Sequence, residues 1–213
     1  MPLSAVQTAK MLDLLDKHYP NVTTSLLHAD PFQLLAATVL SAQCTDERVN
    51  QTTPALFARF PDPATLATAP LSELEEIIRP TGFFRNKAKN LKAAASMIVA
   101  DFGGRVPGTL EELVRLPGVA RKTANVVLGD AFGQPGVVVD THVKRLAGRI
   151  GWTKESDPVK IERELMGLWP KKKWTAASHQ LIAHGRSLCQ ARRPRCGECF
   201  LASLCAQGKK EIS

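Results

Sequence analysis

Apolar residues recur three or four positions apart along most of the chain, which is the spacing of one face of an α-helix. Two such stripes consist of Val6, Ala9, Leu12 and Leu15, and of Ala88, Leu91, Ala95 and Ile98. Only residues 137–139, a run of valines, resemble a β-strand, and this run is too short to found a sheet. The pattern therefore predicts an all-α protein.

Capping residues mark where several of these helices begin. An aspartate followed by proline combines an N-cap with the residue that is favoured at the first helical position. Such pairs stand at Asp30, Asp62 and Asp157, and further starts are predicted at Thr45 and Ser72. We expect the helix after Asp30 to reach about residue 42, and a last long helix to cover residues 174–188.

A tight turn joins two predicted helices near the middle of the chain. Residues 109–112 form a capping-box signature for a short helix that reaches about Leu116. Pro117 restricts its own φ and Gly118 tolerates positive φ, so the pair predicts a turn, and an apolar helical run follows. The start of this second helix offers backbone N–H groups at the positive end of its dipole, where a phosphate can bind. The alternative is an ordinary helix–helix connection.

Two side chains beside helix starts can supply chemistry at such a phosphate. Lys122 follows the turn, and its amine, once uncharged, can attack a sugar carbon that is held there. The alternative for Lys122 is a solvated surface lysine. Asp140 precedes Thr141 at another predicted helix start, where it can transfer a proton, stabilise positive charge or serve only as the N-cap.

Four of the five cysteines lie close together near the end of the chain. Cys189, Cys196, Cys199 and Cys205 have the spacing C-x6-C-x2-C-x5-C, which suits a tetrahedral metal ion or an iron–sulfur cluster. Zinc is the commoner occupant, although zinc ribbons usually contain two close pairs and this set has one. Disulfides are disfavoured because no signal peptide or long apolar span is evident. Cys44 lies apart in an apolar segment and is predicted to be buried.

Composition adds a class of partner. The chain has 213 residues, an ordinary apolar fraction of 44% and a net charge of +8, with a pI near 9.4. Basic residues cluster at positions 85–92, 115–122, 171–173 and 192–195. A single basic cluster is usually a solvated surface, but several of them beside the candidate site motifs favour a polyanionic partner such as nucleic acid.

Several motifs in combination resemble one family. The chain resembles the endonuclease III family, which consists of helix-hairpin-helix DNA glycosylases that also cut DNA at abasic sites. The resemblance is carried by residues 40–46, 82–88, 116–124, 139–145 and 184–186 and by the cysteine quartet. These motifs extend over nearly the whole chain.

The resemblance implies an architecture and a cofactor. A six-helix lobe with the helix-hairpin-helix motif would span residues 24–134. Residues 1–23 and 135–213 would form a second lobe, in which the four cysteines bind a [4Fe–4S] cluster. DNA would lie across the cleft between the lobes, with Lys122 and Asp140 at its mouth.

The resemblance also implies a reaction. The enzyme would remove oxidised pyrimidines from double-stranded DNA: the Lys122 amine displaces the base at C1′, the resulting imine acidifies C2′, and β-elimination cuts the strand, as it also would at abasic sites. The helix dipole and desolvation by bound DNA both favour loss of the lysine's proton. Asp140 would transfer protons or stabilise oxocarbenium charge. We expect a monomer in the bacterial cytoplasm that associates with the nucleoid and not with a membrane.

Family position assigns further residues to DNA contacts. Gln43 would hydrogen-bond the orphaned base, and Phe83, where relatives commonly carry leucine, would be the wedge that fills the gap; a core aromatic is the alternative for Phe83. Ser41 and Asp46 would line the lesion pocket, although Asp46 can equally be a helix cap. The hairpin residues that would contact DNA are Gly118, Ala120, Arg121 and Thr123.

One residue departs from the family pattern. Ala120 stands where the hairpin usually has its second glycine. If this position needs positive φ, alanine costs about 1 kcal/mol and weakens phosphate binding.

Two rival functions are compatible with part of the sequence. The adenine-mismatch glycosylases share fold and cluster, but they lack the catalytic lysine and carry a further C-terminal domain; Lys122 and the end of the chain soon after Cys205 argue against them. The other rival is a noncatalytic DNA-binding module that uses the hairpin for phosphates and the cysteines for zinc.

Overall fold

The computed structural model describes residues 4–212, which form α-helices with short connections and contain no β-strand. The prediction of an all-α protein is confirmed for this part of the chain. Residue contacts define two compact units. The central unit is Thr24–Gln134, and the terminal unit comprises the residues up to Thr23 together with those from Pro135 onward.

The helices are named in chain order. They are α1 (Ala5–His18), α2 (Pro31–Leu40), α3 (Asp46–Arg59), α4 (Pro63–Ala67), α5 (Leu71–Ile78), α6 (Phe84–Phe102), α7 (Leu110–Leu113), α8 (Arg121–Ala131), α9 (Thr141–Ile150), α10 (Pro158–Leu168), α11 (Trp174–Ser187) and α12 (Ala206–Ile212). In the central unit, α6 packs against α4 and α5, and α2 packs against α8. The predicted apolar stripe on α6 is buried, so it faces this core.

Side-chain caps explain most of the helix starts. The predicted N-caps are confirmed at Asp30, Thr45, Asp62 and Asp157, each of which accepts a hydrogen bond from the N–H group three residues later. The predicted start at Ser72 is wrong. Helix α5 begins at Leu71, directly after Pro70, so Ser72 lies inside the helix. Two predicted ends are also too late, because α2 stops at Leu40 and α7 at Leu113.

The terminal unit is built on a core to which α1, α9, α10 and α11 all contribute. The predicted face of α1 is wrong in its first half, because Val6 is 78% exposed and Ala9 is exposed as well. The buried face is formed by Thr8, Met11, Leu12 and Leu15. Thr8 belongs to this face because its hydroxyl accepts a hydrogen bond from Trp152 Nε1 at 3.2 Å. A polar residue with a buried partner therefore replaces the apolar residue that the spacing suggested.

Candidate active site and metal centre

The hairpin is the turn between α7 and α8. Gly118 has a φ of 78°, in the left-handed region that glycine adopts without strain. A Cβ atom at this position would also come within 2.9 Å of the Asn90 side chain. The turn therefore requires glycine both for its backbone conformation and for space, and the predicted order of helix, turn and helix is present.

Ala120 is the N-cap residue of α8, with a φ of −88° and a ψ of 167°. This is extended backbone that any residue adopts, so the position does not need positive φ and the cost that depended on this condition does not arise. Alanine also has no side-chain acceptor for the first N–H groups of α8. A helix start of this kind leaves N–H groups for an anion.

Lys122 is the second residue of α8, and its side chain is exposed. Arg121 and Thr123 flank it and are half-buried. The amine of Lys122 is thus carried on a rigid helix turn and is accessible from solvent. The role of Lys122 as a nucleophile and the DNA contacts of its neighbours remain predictions.

Asp140 belongs to the terminal unit and is the N-cap of α9. Its Oδ1 atom accepts a hydrogen bond from the Val143 N–H at 2.8 Å. The capping alternative is therefore correct as a description of the structure. A carboxylate that is oriented by one backbone N–H can still transfer protons through its other oxygen, so catalysis by Asp140 remains a prediction.

Two exposed loops of the central unit carry the residues predicted to enter DNA. Gln43 has a φ of 53° and Phe83 a φ of 48°, both in the left-handed region that non-glycine residues rarely adopt. Phe83 is 65% exposed, so the core alternative is wrong. Both residues line one cavity of about 240 Å³, together with Val39, Ala42, Asn86, Lys87, Asn90 and Gly118. Strain of about 1–3 kcal/mol per residue persists only where the surroundings impose it, and such residues cluster at functional sites.

The predicted lesion-pocket residues, Ser41 and Asp46, lie on either side of Gln43, between the end of α2 and the start of α3. Ser41 donates through its Oγ to the carbonyl of Thr38 at 2.8 Å. Asp46 is the first residue of α3 and accepts a hydrogen bond from Ser25 Oγ at 2.5 Å. The cap of α3 is Thr45, so capping does not explain Asp46. The lesion-pocket role of both residues remains a prediction.

The four clustered cysteines line a single cavity in the terminal unit. None of these four thiols is in a disulfide bond. Among residues 4–212, no three or more His, Cys, Asp or Glu side chains converge closely enough to hold a single metal ion. Iron–sulfur clusters are held by four cysteine thiolates, and zinc accepts the same donors. The donor set fits a multinuclear iron–sulfur cluster.

Polar donors and burial shape this cysteine site. Arg149 Nη1 donates to Cys189 Sγ at 3.4 Å, and the Gly208 N–H donates to Cys205 Sγ at 3.4 Å. Burial raises the pKa of the Cys199 and Cys205 thiols. These cysteines would therefore hold their protons more tightly than free thiols, and the positive charge of iron is what favours the thiolates.

His184 packs against the same site. Its Nε2 lies 3.4 Å from Cys199 Sγ, and its Nδ1 lies 3.0 Å from the hydroxyl of Tyr19. Burial, and to a lesser extent the charge of His18, lowers the pKa of His184 to about 4. The imidazole is therefore neutral at pH 7, and it lies between Cys199 and Tyr19 within hydrogen-bonding distance of both.

Sequence reasoning missed the arginines that support the cysteine loop. Arg149 donates to the carbonyls of Gln190 at 2.7 Å and Ala191 at 2.6 Å. Arg145 Nη2 donates to the carbonyl of Cys189 at 2.9 Å. The two arginines are four residues apart on α9 and so lie on one face of this helix. The i, i+4 spacing of the two arginines could have indicated that both contact the same segment of the chain.

Replacing Cys199 with serine should remove the visible absorption of an iron–sulfur cluster and much of the soluble yield. Serine does not supply the thiolate, and without the cluster the cysteine segment loses the cross-link that holds its four ligand positions together. The measurements are an absorption spectrum, iron content and soluble yield. Cys44→Ser is the matched control, because Cys44 lies in the central unit and is half-buried rather than buried as predicted. A colourless wild-type protein with one bound zinc would refute the cluster.

Two family models match the chain. Residues 36–171 match the HhH-GPD superfamily base excision DNA repair protein, and residues 189–205 match the iron–sulfur binding domain of endonuclease III. The first match covers the hairpin, Lys122 and Asp140, and the second begins and ends at cysteines of the quartet.

Individual relatives and solved structures agree with these matches. The chain is 58% identical over 200 residues to Endonuclease III of Synechocystis sp., covering 93% of this chain and 91% of that protein. A structure of a non-covalent Endonuclease III–DNA complex is 43% identical, with a TM-score of 0.93 and 99% coverage of both chains. A trapped Endonuclease III–DNA covalent intermediate, an estranged-adenine complex, is 42% identical with a TM-score of 0.93, covering 99% of this chain and 100% of that one.

Proposed function

The chain belongs to the endonuclease III family, and from this premise we propose that it removes oxidised pyrimidines from double-stranded DNA through an imine on Lys122. It is a base-excision-repair DNA glycosylase with abasic-site lyase activity, and DNA is its partner. Its cysteine quartet binds a [4Fe–4S] cluster. When bound, this cluster cross-links four points of one loop region and so stabilises the terminal unit.

The observation that carries the proposal is the position of Lys122. The glycine turn at Gly118 leads into α8, and the exposed amine of Lys122 sits in the first turn of that helix. Phosphate binding at the helix start would hold the sugar beside the amine and make the attack effectively intramolecular. We assign the phosphate contacts to Gly118, Ala120, Arg121 and Thr123.

The reaction follows from the chemistry of an amine at C1′. Attack by the uncharged Lys122 Nζ forms the N–C1′ bond, and the electrons of the glycosidic bond leave with the base, which takes up a proton. Ring opening gives an imine, which makes the C2′ proton acidic. Loss of that proton expels the 3′ phosphate with the electrons of its C–O bond and cuts the strand. We assign proton transfer and stabilisation of positive charge at C1′ to Asp140.

Extrusion of the damaged nucleotide is assigned to the two exposed loops. Opening a base pair costs a few kcal/mol, and groups that fill the vacated space offset part of it. The exposed amide of Gln43 suits hydrogen bonding to the base left behind, and the exposed ring of Phe83 suits stacking in the gap. Ser41 and Asp46 are assigned to the pocket for the extruded base.

The proposal also includes the cellular location and the oligomeric state of the enzyme. No helix among residues 4–212 is long and apolar enough to cross a membrane. The net charge of +8 favours a polyanionic partner. We assign the protein to the bacterial cytoplasm, where it would work on the nucleoid as a monomer.

Borohydride trapping tests the function directly. A duplex with one thymine glycol is incubated with the wild-type protein and borohydride, which reduces an imine to a stable amine. We expect a covalent protein–DNA adduct on the damaged duplex and none on an undamaged one. Excision that proceeds without a trapped adduct would show that water, and not an amine, is the nucleophile.

Replacing Phe83 with alanine should slow excision from an intact duplex by roughly one to two powers of ten, because base stacking on an aromatic ring is worth about 1–3 kcal/mol. Strand cutting at a preformed abasic site should change much less, because that substrate has no base to extrude. Alanine keeps the Cβ atom, so the strained backbone at this position is unchanged. The two rates and the melting temperature are measured on the same variant.

The control for Phe83→Ala is Val99→Ala, which removes an exposed apolar side chain from α6. Val99→Ala should leave both rates near wild type. An equal loss of both activities in Phe83→Ala would reject the wedge.

A further inference from the structure

Lys87 is a buried cation that neither the reaction nor the cluster uses. Its side chain is only 5% exposed, and no other lysine or arginine among residues 4–212 is as buried. It lies in the first turn of α6, one helical turn after Phe83. Burial lowers the pKa of Lys87, which means that its charge is held at an energetic cost. A charged side chain in such a place needs polar partners.

The partners of Lys87 are two backbone carbonyls from separate segments. Its Nζ donates to the carbonyl of Leu40 at 2.9 Å and to the carbonyl of Thr81 at 2.8 Å. Leu40 is the last residue of α2, and Thr81 is the last residue of the 3₁₀ turn Arg79–Thr81. Carbonyls at helix ends lack intrahelical partners and carry the negative end of the helix dipole, so they are suited to an ammonium group.

Both anchor points lie immediately before the exposed loops. Leu40 precedes Gln43 by three residues, and Thr81 precedes Phe83 by two. The backbone at Gln43 and at Phe83 is in the left-handed region, and Lys87 lines the same cavity as these two residues. The ammonium group thus joins the bases of the two loops whose tips carry the strained residues.

We propose, on the basis of the proposed function, that Lys87 is a positioning residue for base extrusion. Its ammonium group ties the end of α2 to the 3₁₀ turn and thereby fixes the distance between Gln43 and Phe83. Simultaneous entry of both side chains into a duplex requires that distance to be held. Lys87 touches no substrate in this role and acts through the two loops.

The test compares Lys87→Met with Lys92→Met. Methionine keeps most of the length and apolar stem of lysine but removes the charge and the donors. Lys92 is a matched control, because it lies on the same helix, is half-buried and donates to the carbonyl of Ala69 at 2.7 Å, away from both loops. For each variant, excision from an intact duplex with one thymine glycol and strand cutting at a preformed abasic site are measured on folded protein.

Lys87→Met should slow excision from the intact duplex by about 10- to 100-fold, which is the range for a displaced positioning group. Strand cutting at the abasic site should fall by less than about three-fold, because that step needs no extrusion. Lys92→Met should leave the ratio of the two rates at the wild-type value. A Lys87→Met variant with an unchanged ratio overturns the proposal.

A double variant separates positioning from general stability. If Lys87 acts through Phe83 and Gln43, then Lys87→Met should slow duplex excision far less in a Phe83→Ala background than in the wild type, because residues that act together are not additive. Full additivity overturns the proposal. Should Lys87→Met fail to fold, Lys87→Gln replaces it, since glutamine keeps a donor but loses the charge and the reach. For Lys87→Gln, the rate of duplex excision divided by the rate of abasic-site cutting should fall at least about three-fold, by the same reasoning. A wild-type value of this ratio again overturns the proposal.

The wild-type enzyme is assayed in parallel. Absence of excision and of a trapped adduct in the wild type would reject the proposed function itself and the positioning role with it. An active wild type beside an unchanged ratio in Lys87→Met rejects the positioning role alone.

Discussion

Replacement of Lys122 by alanine is expected to abolish both base excision and strand cutting while DNA binding is retained. Without the primary amine no imine forms at C1′, so the C2′ proton is not acidified and the 3′ phosphate does not leave. Removal of a covalent nucleophile commonly costs an enzyme about 10³-fold or far more in turnover. The measurements are single-turnover excision on a thymine glycol duplex, cutting of an abasic duplex, borohydride trapping and a binding isotherm.

The structure makes this experiment a clean one. Lys122 is exposed in the first turn of α8, and alanine has the highest helix propensity, so the fold should tolerate the change within about 0.5 kcal/mol. Lys144→Ala is the matched control, since Lys144 is an exposed lysine near the start of α9, and this variant should still be trapped. A folded Lys122→Ala protein that excises at nearly the wild-type rate would remove Lys122 from the role of nucleophile.

Much of the fold could be predicted because local chemistry decides the helix starts. In an Asp-Pro pair, the aspartate accepts from an N–H group that lacks a partner, and the proline presets the first helical φ. Such pairs start helices at Asp30, Asp62 and Asp157, although the three helices lie in different parts of the fold. The helix start predicted at Ser72 was wrong because a serine followed three residues later by glutamate can also occur inside a helix that has already begun. The outcome there depended on Pro70, which precedes α5, and not on the side chain that was expected to cap it.

Burial was harder to predict than helix position. Periodicity on α1 selected Val6, but the buried face contains Thr8, whose hydroxyl is satisfied by a tryptophan 144 residues away in sequence. Lys87 is the stronger case, since an apolar stripe cannot reveal a buried lysine that donates to two backbone carbonyls, one of them 47 residues away. Each of the two residues thus has a hydrogen-bond partner that is remote in sequence.

In the candidate site, too, features that depend on local sequence could be predicted, and features that depend on the rest of the structure could not. The cysteine quartet and the turn at Gly118 were predictable because spacing and φ requirements are local. The conformation of Ala120 was not, because a glycine in relatives does not by itself show that positive φ is needed, and the residue is extended here. The choice of a cluster over zinc likewise required the family match, since the cysteine spacing suits both.

Asp140→Asn should slow turnover by roughly two or more powers of ten, the range for a positioned acid–base group. Asparagine retains a side-chain oxygen that can accept the hydrogen bond from the Val143 N–H, and it caps helices about as well as aspartate. The substitution therefore preserves the cap and removes the charge and the proton-transfer capacity. The melting temperature and the iron content should stay close to wild type.

The matched control for Asp140→Asn is Asp157→Asn. Asp157 caps α10 with the same geometry, accepting from the Lys160 N–H at 2.9 Å, and no catalytic role is assigned to it. If Asp140 acts only as a cap, the two variants should behave alike, with small losses of activity that follow small losses of stability. If Asp140 moves protons at the reacting sugar, only Asp140→Asn should lose activity at an unchanged melting temperature. Single-turnover rates and melting curves on both variants therefore decide between a cap that is only structural and one that also takes part in the reaction.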